Sequence, residues 1–213
     1  VNYTQASGAH TLGAVVGIAN TATYGYNVGN RNFNVIENCV VRASQGKTLT
    51  ITPNGHKGVV AGNWHDGGIY GGIVGRGIAV TVRNCVVASN VKVVSGRNMA
   101  SAGGIAGQIA SAEIVNCANN STIVMDGTIQ TGGGAEKGYG GIAAHLLGNS
   151  NGYGPSWFIM FAGGMLIKNC YFNGNFEVTN NFFNPSGTTH VGGILAGLNS
   201  PVFTSATTAD NKP

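Results

Sequence analysis

The four cysteines are the chain's strongest nucleophiles and softest metal ligands, and each follows an asparagine: Asn38-Cys39, Asn84-Cys85, Asn116-Cys117 and Asn169-Cys170. Zinc would need thiols at Cys-x-x-Cys spacing or paired with histidines. These lie 46, 32 and 53 residues apart without such partners, so no metal site is expected. Seven carboxylates are available: Glu37, Asp66, Glu113, Asp126, Glu136, Glu177 and Asp210. Glycoside hydrolysis needs two of them a few ångströms apart, and no two are close in sequence. No serine sits in a Gly-x-Ser-x-Gly elbow. The densest group of reactive types is Trp64-His65-Asp66, with Asn54-Gly55-His56-Lys57-Gly58 ahead of it. It could grip a sugar or a cation, or be a surface loop whose Trp covers a core edge. No catalytic residue, metal or cofactor is assigned.

The elements that must position these residues are repeats. An aliphatic residue stands three positions before every cysteine: Ile36, Val82, Ile114 and Ile167. Before each lies a glycine-rich segment: Gly13-Ala14-Val15-Val16-Gly17, Gly71-Gly72-Ile73-Val74-Gly75, Gly103-Gly104-Ile105-Ala106-Gly107 and Gly140-Gly141-Ile142-Ala143-Ala144. A fifth copy, Gly192-Gly193-Ile194-Leu195-Ala196, has no Asn-Cys after it. Apolar residues follow six and eight positions past the cysteine, as Val91 and Val93, Ile123 and Met125, Phe176 and Val178. In the first unit Leu49 and Ile51 correspond, displaced by extra residues around Gly46. Stretches 21–31 and 148–161 swell the first and fourth units. Fixed short segments with variable insertions read as a solenoid.

The apolar segments are short, rich in Val and Ile, and alternate with period two, as in Val80-Thr81-Val82, which argues for strands. Glycine, 36 residues spread along the chain, suits frequent turns and weakens helices. Leu146-Leu147 and Trp157–Met160 are the expected places for a helical or irregular excursion. The expected fold is all-β: a right-handed parallel β-helix (β-solenoid) with about three short strands per coil, four full coils and a partial fifth. One domain spans 1–213, with coils at 12–57, 58–100, 101–137, 138–189 and 190–200 and a tail at 201–213. Val1–His10 hold no recognisable coil.

The Asn-Cys pair would form a corner of each coil. Strict alternation would face the aliphatic and the Cys to opposite sides, and a bend at Asn lets both point inward. Asn tolerates the left-handed region. Stacked Asn38, Asn84, Asn116 and Asn169 could then hydrogen-bond coil to coil as a ladder. Cys39, Cys85, Cys117 and Cys170 would form a second column, either as buried free thiols or as disulfides between adjacent coils. The ~4.8 Å strand spacing suits disulfide Cα atoms but leaves in-register Cβ atoms slightly far apart. Two positions before each cysteine, Glu37, Arg83, Val115 and Lys168 form a mixed outer column, which reads as solubility and coil registration.

Gly-Gly-Ile-Ala-Gly followed by Ile-Val-Asn-Cys-Ala-Asn-Asn-Ser-Thr-Ile resembles the GLUG motif. That short repeat occurs in large surface and secreted proteins, including bacterial adhesins, peptidase-associated stalks and surface proteins of some protists. The resemblance covers residues 12 to 198 and implies a repeat architecture rather than an activity. The long insertions and Ala144 at the closing glycine depart from the pattern.

Charged residues are 8% of the chain, far below the ~25% of ordinary domains. Copies therefore repel one another weakly, which favours self-association. The net charge of +4 is scattered, with no basic run for nucleic acid. No apolar run reaches the ~18 residues of a membrane span. The chain starts at Val1, as a segment whose leader had been removed would. Trp64, His65, Tyr153, Trp157, Phe158, Phe182 and Phe183 form a candidate contact surface, for a sister subunit or a glycan, or serve as intramolecular cover. Asn2, Asn119 and Asn120 head glycosylation sequons. The expected function is a non-catalytic structural or adhesive solenoid, extracellular or at the cell surface. It would polymerise through its coil ends or belong to a stalk. The competing expectation is a carbohydrate-binding or polysaccharide-cleaving β-helix.

Overall fold

In a computed structural model the chain is a parallel β-solenoid, and among the described residues there is no helix. The structure describes residues 2–4, 11–20, 34–54, 68–95, 101–110, 112–126, 137–147, 166–180, 182 and 189–199. A first strand, β1 (Asn2–Thr4), precedes coil one: β2 (Thr11–Gly13), β3 (Val16–Asn20), β4 (Asn34–Glu37), β5 (Val40–Val41) and β6 (Leu49–Asn54). Coil two holds β7 (Ile69–Gly71), β8 (Val74–Ile78), β9 (Val80–Arg83), β10 (Val86–Val87) and β11 (Val91–Ser95). Coil three holds β12 (Ser101–Gly103), β13 (Ala106–Ala110), β14 (Glu113–Val115), β15 (Ala118–Asn119) and β16 (Thr122–Met125). Coil four holds β17 (Lys137–Gly140), β18 (Ala143–Leu147), β19 (Leu166–Lys168), β20 (Tyr171–Phe172) and β21 (Asn175–Val178), and β22 (Thr189–Gly192) and β23 (Leu195–Asn199) begin a fifth.

Equivalent strands stack in five parallel lanes. Lane one is β2-β7-β12-β17-β22, lane two β3-β8-β13-β18-β23, lane three β4-β9-β14-β19, lane four β5-β10-β15-β20 and lane five β1-β6-β11-β16-β21. Five strands per coil replace the expected three for a local reason. The Gly-Gly-Ile segment and the Ile-x-Asn-Cys segment are each cut in two by a bend, whereas the third segment runs straight. Two further corrections concern the elements themselves. β1 pairs Asn2, Tyr3 and Thr4 with Thr52, Pro53 and Asn54, so the N-terminal stretch does contribute a strand. Leu146-Leu147 is the end of β18 rather than an excursion, because its backbone pairs with Leu198-Asn199.

The core is a set of columns. Ile73, Ile105 and Ile142 stack at one corner and are fully buried, each worth about 1.5–3 kcal/mol on burial. Val82 and Ile114 do the same in lane three. Lane one alternates large and small side chains, Tyr70, Ala102 and Tyr139, so the rings interdigitate instead of colliding. The apolar pair after the cysteine is not in constant register. Ile51 pairs with Val93, Val93 with Ile123 and Ile123 with Phe176. Coil two therefore slips by two residues against coil three. An even slip keeps every side chain on its own face, so the core is undisturbed. The turn before β11 absorbs the difference: Asn90 Nδ2 donates to Ala43 O and Ala43 N–H to Asn90 Oδ1, both at 3.2 Å.

Candidate functional site

Two corners organise the lanes. At the first, between lanes one and two, the paired glycines let neighbouring coils touch backbone to backbone. A Cβ on Gly104 would fall on Asn119 Nδ2 and Gly141 O. Each coil's carbonyl at this corner serves two donors of the coil before it. Ile105 O accepts from Ile73 N–H and Val74 N–H, and Ile142 O from Ile105 N–H and Ala106 N–H, at 2.9–3.0 Å.

At the second corner, between lanes three and four, Asn38, Asn84, Asn116 and Asn169 have φ of 57°, 54°, 54° and 53°, the left-handed region Asn enters most readily after Gly. Their side chains form a continuous ladder. Asn84 Nδ2 donates to Asn38 Oδ1 at 3.4 Å, Asn116 Nδ2 to Asn84 Oδ1 at 3.2 Å and Asn169 Nδ2 to Asn116 Oδ1 at 3.2 Å. The bend turns the next residue inward, and all four cysteines are free. Cys85 and Cys117 are fully buried, while Cys39 and Cys170 at the two ends of the column are half-buried. Three sulfurs lean on the preceding coil: Cys85 Sγ lies 3.8 Å from Ile36 O, Cys117 Sγ 3.6 Å from Val82 O and Cys170 Sγ 3.4 Å from Ile114 O. Outside this corner Arg83 meets Glu37 at 2.6 Å.

Sequence reasoning missed a buried polar seam between lanes one and two. Arg76 donates to Gln108 Oε1 at 3.2 Å, Gln108 Nε2 to Ser101 Oγ at 3.3 Å, and Ser101 Oγ lies 2.7 Å from His145 Nδ1. Burial, and after it nearby His190, holds the His145 imidazole down at about 4 against its ordinary 6.5. A serine on a histidine is the contact nucleophilic catalysis uses. Ser101 and His145, however, are only 2% and 4% exposed, so the pair secures the seam. The signal that could have found it is position rather than type. Ser101 and His190 stand two residues before a Gly-Gly pair, and Arg76, Gln108 and His145 stand five after its first glycine. A second buried contact links lanes five and one, where Ser95 Oγ donates to Tyr139 OH at 3.3 Å, and within lane five the half-buried Thr179 Oγ1 donates to Asp126 Oδ1.

Of the aromatic contact candidates, Phe182 packs edge-on against Tyr139, ring centroids 6.2 Å apart. It therefore covers its own core. Trp64, His65, Tyr153, Trp157, Phe158 and Phe183 lie outside the described residues, as does the side chain of Asn2. The sequon at Asn119 is closed. Its side chain is fully buried, with Nδ2 donating to Gly141 O at 2.8 Å and Oδ1 accepting from Ser121 N–H at 2.9 Å, so the folded chain leaves no room for a glycan there. Asn120 is half-buried. Among the described residues no three His, Cys, Asp or Glu side chains gather as a metal-holding group, and no helix is long and apolar enough to cross a membrane. No protein-family model, curated protein or solved structure matches the chain.

Proposed function

We propose that the chain is a non-catalytic, extracellular structural or adhesive element of the GLUG-like repeat type, stacking head to tail into a filament or stalk. The observation that carries this reading is the stagger of the lanes. Among the described residues lane five starts one rung early, with β1, and lanes one and two finish one rung late, with β22 and β23. A second copy in continuous register would set its β1 beside β21 and its β2 and β3 beside β22 and β23. Lanes three and four, of four strands each among the described residues, would then be one rung short at the joint.

Side chains and hydrogen bonds favour the same arrangement. In the column Val15, Ile73, Ile105, Ile142, Ile194 the middle three are fully buried, while the end members are 43% and 40% exposed. Apolar side chains and unpaired strand edges at a sheet end invite a further strand. Continuing the corner pattern by one step would aim Ile194 and Leu195 N–H of one copy at Val15 O of the next. The low charge of the chain, 8%, opposes this contact little. Light scattering and electron microscopy of the purified chain test the reading. Filaments whose length collapses in Ile194→Lys, with the monomer still folded by circular dichroism, are expected. A strict monomer at high protein concentration overturns it.

A further inference from the structure

The thiol column runs between lanes three and four, the lanes left one rung short at the proposed joint, and its four sulfurs are arranged for a reaction of their own. We propose that the column is a built-in oxidation site, closing into two intercoil disulfides, Cys39–Cys85 and Cys117–Cys170, when a low-molecular-weight disulfide reaches its half-buried ends. Register supplies the first support. The residues flanking each cysteine are paired coil to coil: Glu37 with Arg83 and Val40 with Val86, Val115 with Lys168 and Ala118 with Tyr171. The cysteine Cα atoms are therefore held at about the 4.8 Å strand spacing, inside the disulfide range. The sulfurs of each proposed pair face one coil boundary: Cys85 Sγ reaches to 3.8 Å from Ile36 O of Cys39's coil and Cys170 Sγ to 3.4 Å from Ile114 O of Cys117's coil.

Access decides the pairing. Cys39 and Cys170 are partly exposed, whereas Cys85 and Cys117 are fully buried. A reagent can meet only the ends, and each end has one cysteine neighbour within the chain. At the Cys170 end the Cys117 S–H beside it pulls the Cys170 thiol down to about 7, while the same contact pushes Cys117 up. Cys170 is thus the first nucleophile, since the thiolate is the attacking form. Its thiolate attacks one sulfur of the reagent RS–SR, forming Cys170–S–S–R and releasing RS⁻. The Cys117 thiol gives its proton to the released RS⁻. Its sulfur then attacks that of Cys170 and expels the second RS⁻, which is protonated from solvent to replace the proton Cys170 lost. Two electrons pass from the two protein thiols to RSSR, yielding two RSH. At the other end burial, and after it Cys85, pushes the partly exposed Cys39 thiol up instead, so the same balanced exchange with Cys85 starts more slowly there.

Incubation of the folded chain with oxidised glutathione at pH 8, followed by acid quench and non-reducing peptide mapping, tests this. Expected is a mass loss of about 4 Da with no glutathione retained, as two dithiol-to-disulfide conversions require. Linked peptides should join Cys39 to Cys85 and Cys117 to Cys170. Cys117→Ser should trap one glutathione on Cys170, because the resolving thiol is gone. If that variant fails to fold, Cys85→Ser should trap one on Cys39 in the same way. Wild-type chain that keeps glutathione at its ends, stays fully reduced, or links Cys85 to Cys117 overturns the proposal. So does pairing that appears only in denaturant.

Discussion

The two corners turn the same chain through the same coil by opposite means. The Gly-Gly-Ile corner works by omission: with no Cβ in the way, backbones of successive coils meet, and one carbonyl serves two N–H groups. The Asn-Cys corner works by addition: a side chain takes the left-handed bend and its amide continues the hydrogen bonding outside the backbone. The first is buried and rigidly packed, the second is solvent-exposed on its asparagine face. An omission cannot relax around an added atom, whereas a ladder can lose a rung. The glycine corner should therefore be the less tolerant one.

The largest expected effect is Gly104→Ala. Its methyl would fall on Asn119 Nδ2 and on Gly141 O, a backbone atom that cannot swing aside. A loss of about 4 kcal/mol is expected, at the severe end for single substitutions, and a melting temperature lowered by roughly 10 °C. A calorimetric scan indistinguishable from wild type would break the contrast between the corners.

The second effect tests the seam behind the glycine corner. His145 titrates at about 4 folded against 6.5 ordinarily, through burial first and His190 second. The unfolded chain thus binds a proton more readily, and stability contributed by the neutral imidazole is fully present above pH 6.5. It drains as pH falls to about 4 and then levels off, for a total of about 3 kcal/mol. Denaturant midpoints measured across that window should fall in wild type and flatten in His145→Gln, which still offers Ser101 a hydrogen-bond partner. Equal slopes in both proteins would remove His145 as the cause.

The asparagine corner was legible in the sequence because one residue type does one job in every coil, so the motif repeats by identity. The seam was not legible, because its column runs Ile18, Arg76, Gln108, His145, Gly197 and conserves only its place after the glycines. The two-residue slip at Val93 and Ile123 escaped for a different reason: period-two patterns are blind to even shifts. The Asn119 sequon misled because a tripeptide carries no information about which side of a lane it faces. The same alternation that buries Asn119 leaves Asn120 half-exposed.

The third effect sharpens what the ladder contributes. Asn116 sits mid-ladder, giving one amide bond to Asn84 and taking one from Asn169, both at 3.2 Å. Asn116→Ala loses both bonds and must hold φ near 54° with a Cβ. That combination should cost about 2 kcal/mol. Asn116→Gly keeps the backbone relaxed and should cost about 1 kcal/mol, from the bonds alone. Equal losses in the two variants, read from urea unfolding, would mean that the left-handed bend carries no strain here.

The smallest effect is expected one residue before the ladder. Arg83 and Glu37 are in register and in contact, yet their side chains are 50% and 42% exposed. Solvent and salt screen such a pair, and ordering two long side chains offsets what remains. Arg83→Ala should therefore shift stability by no more than about 0.5 kcal/mol, and the difference should vanish in high salt. A larger, salt-resistant loss would mean that the arginine stem shields the neighbouring amide bonds from water. The tolerance of the second corner would then depend on its charged neighbours, and the contrast with the glycine corner would narrow from the outside in.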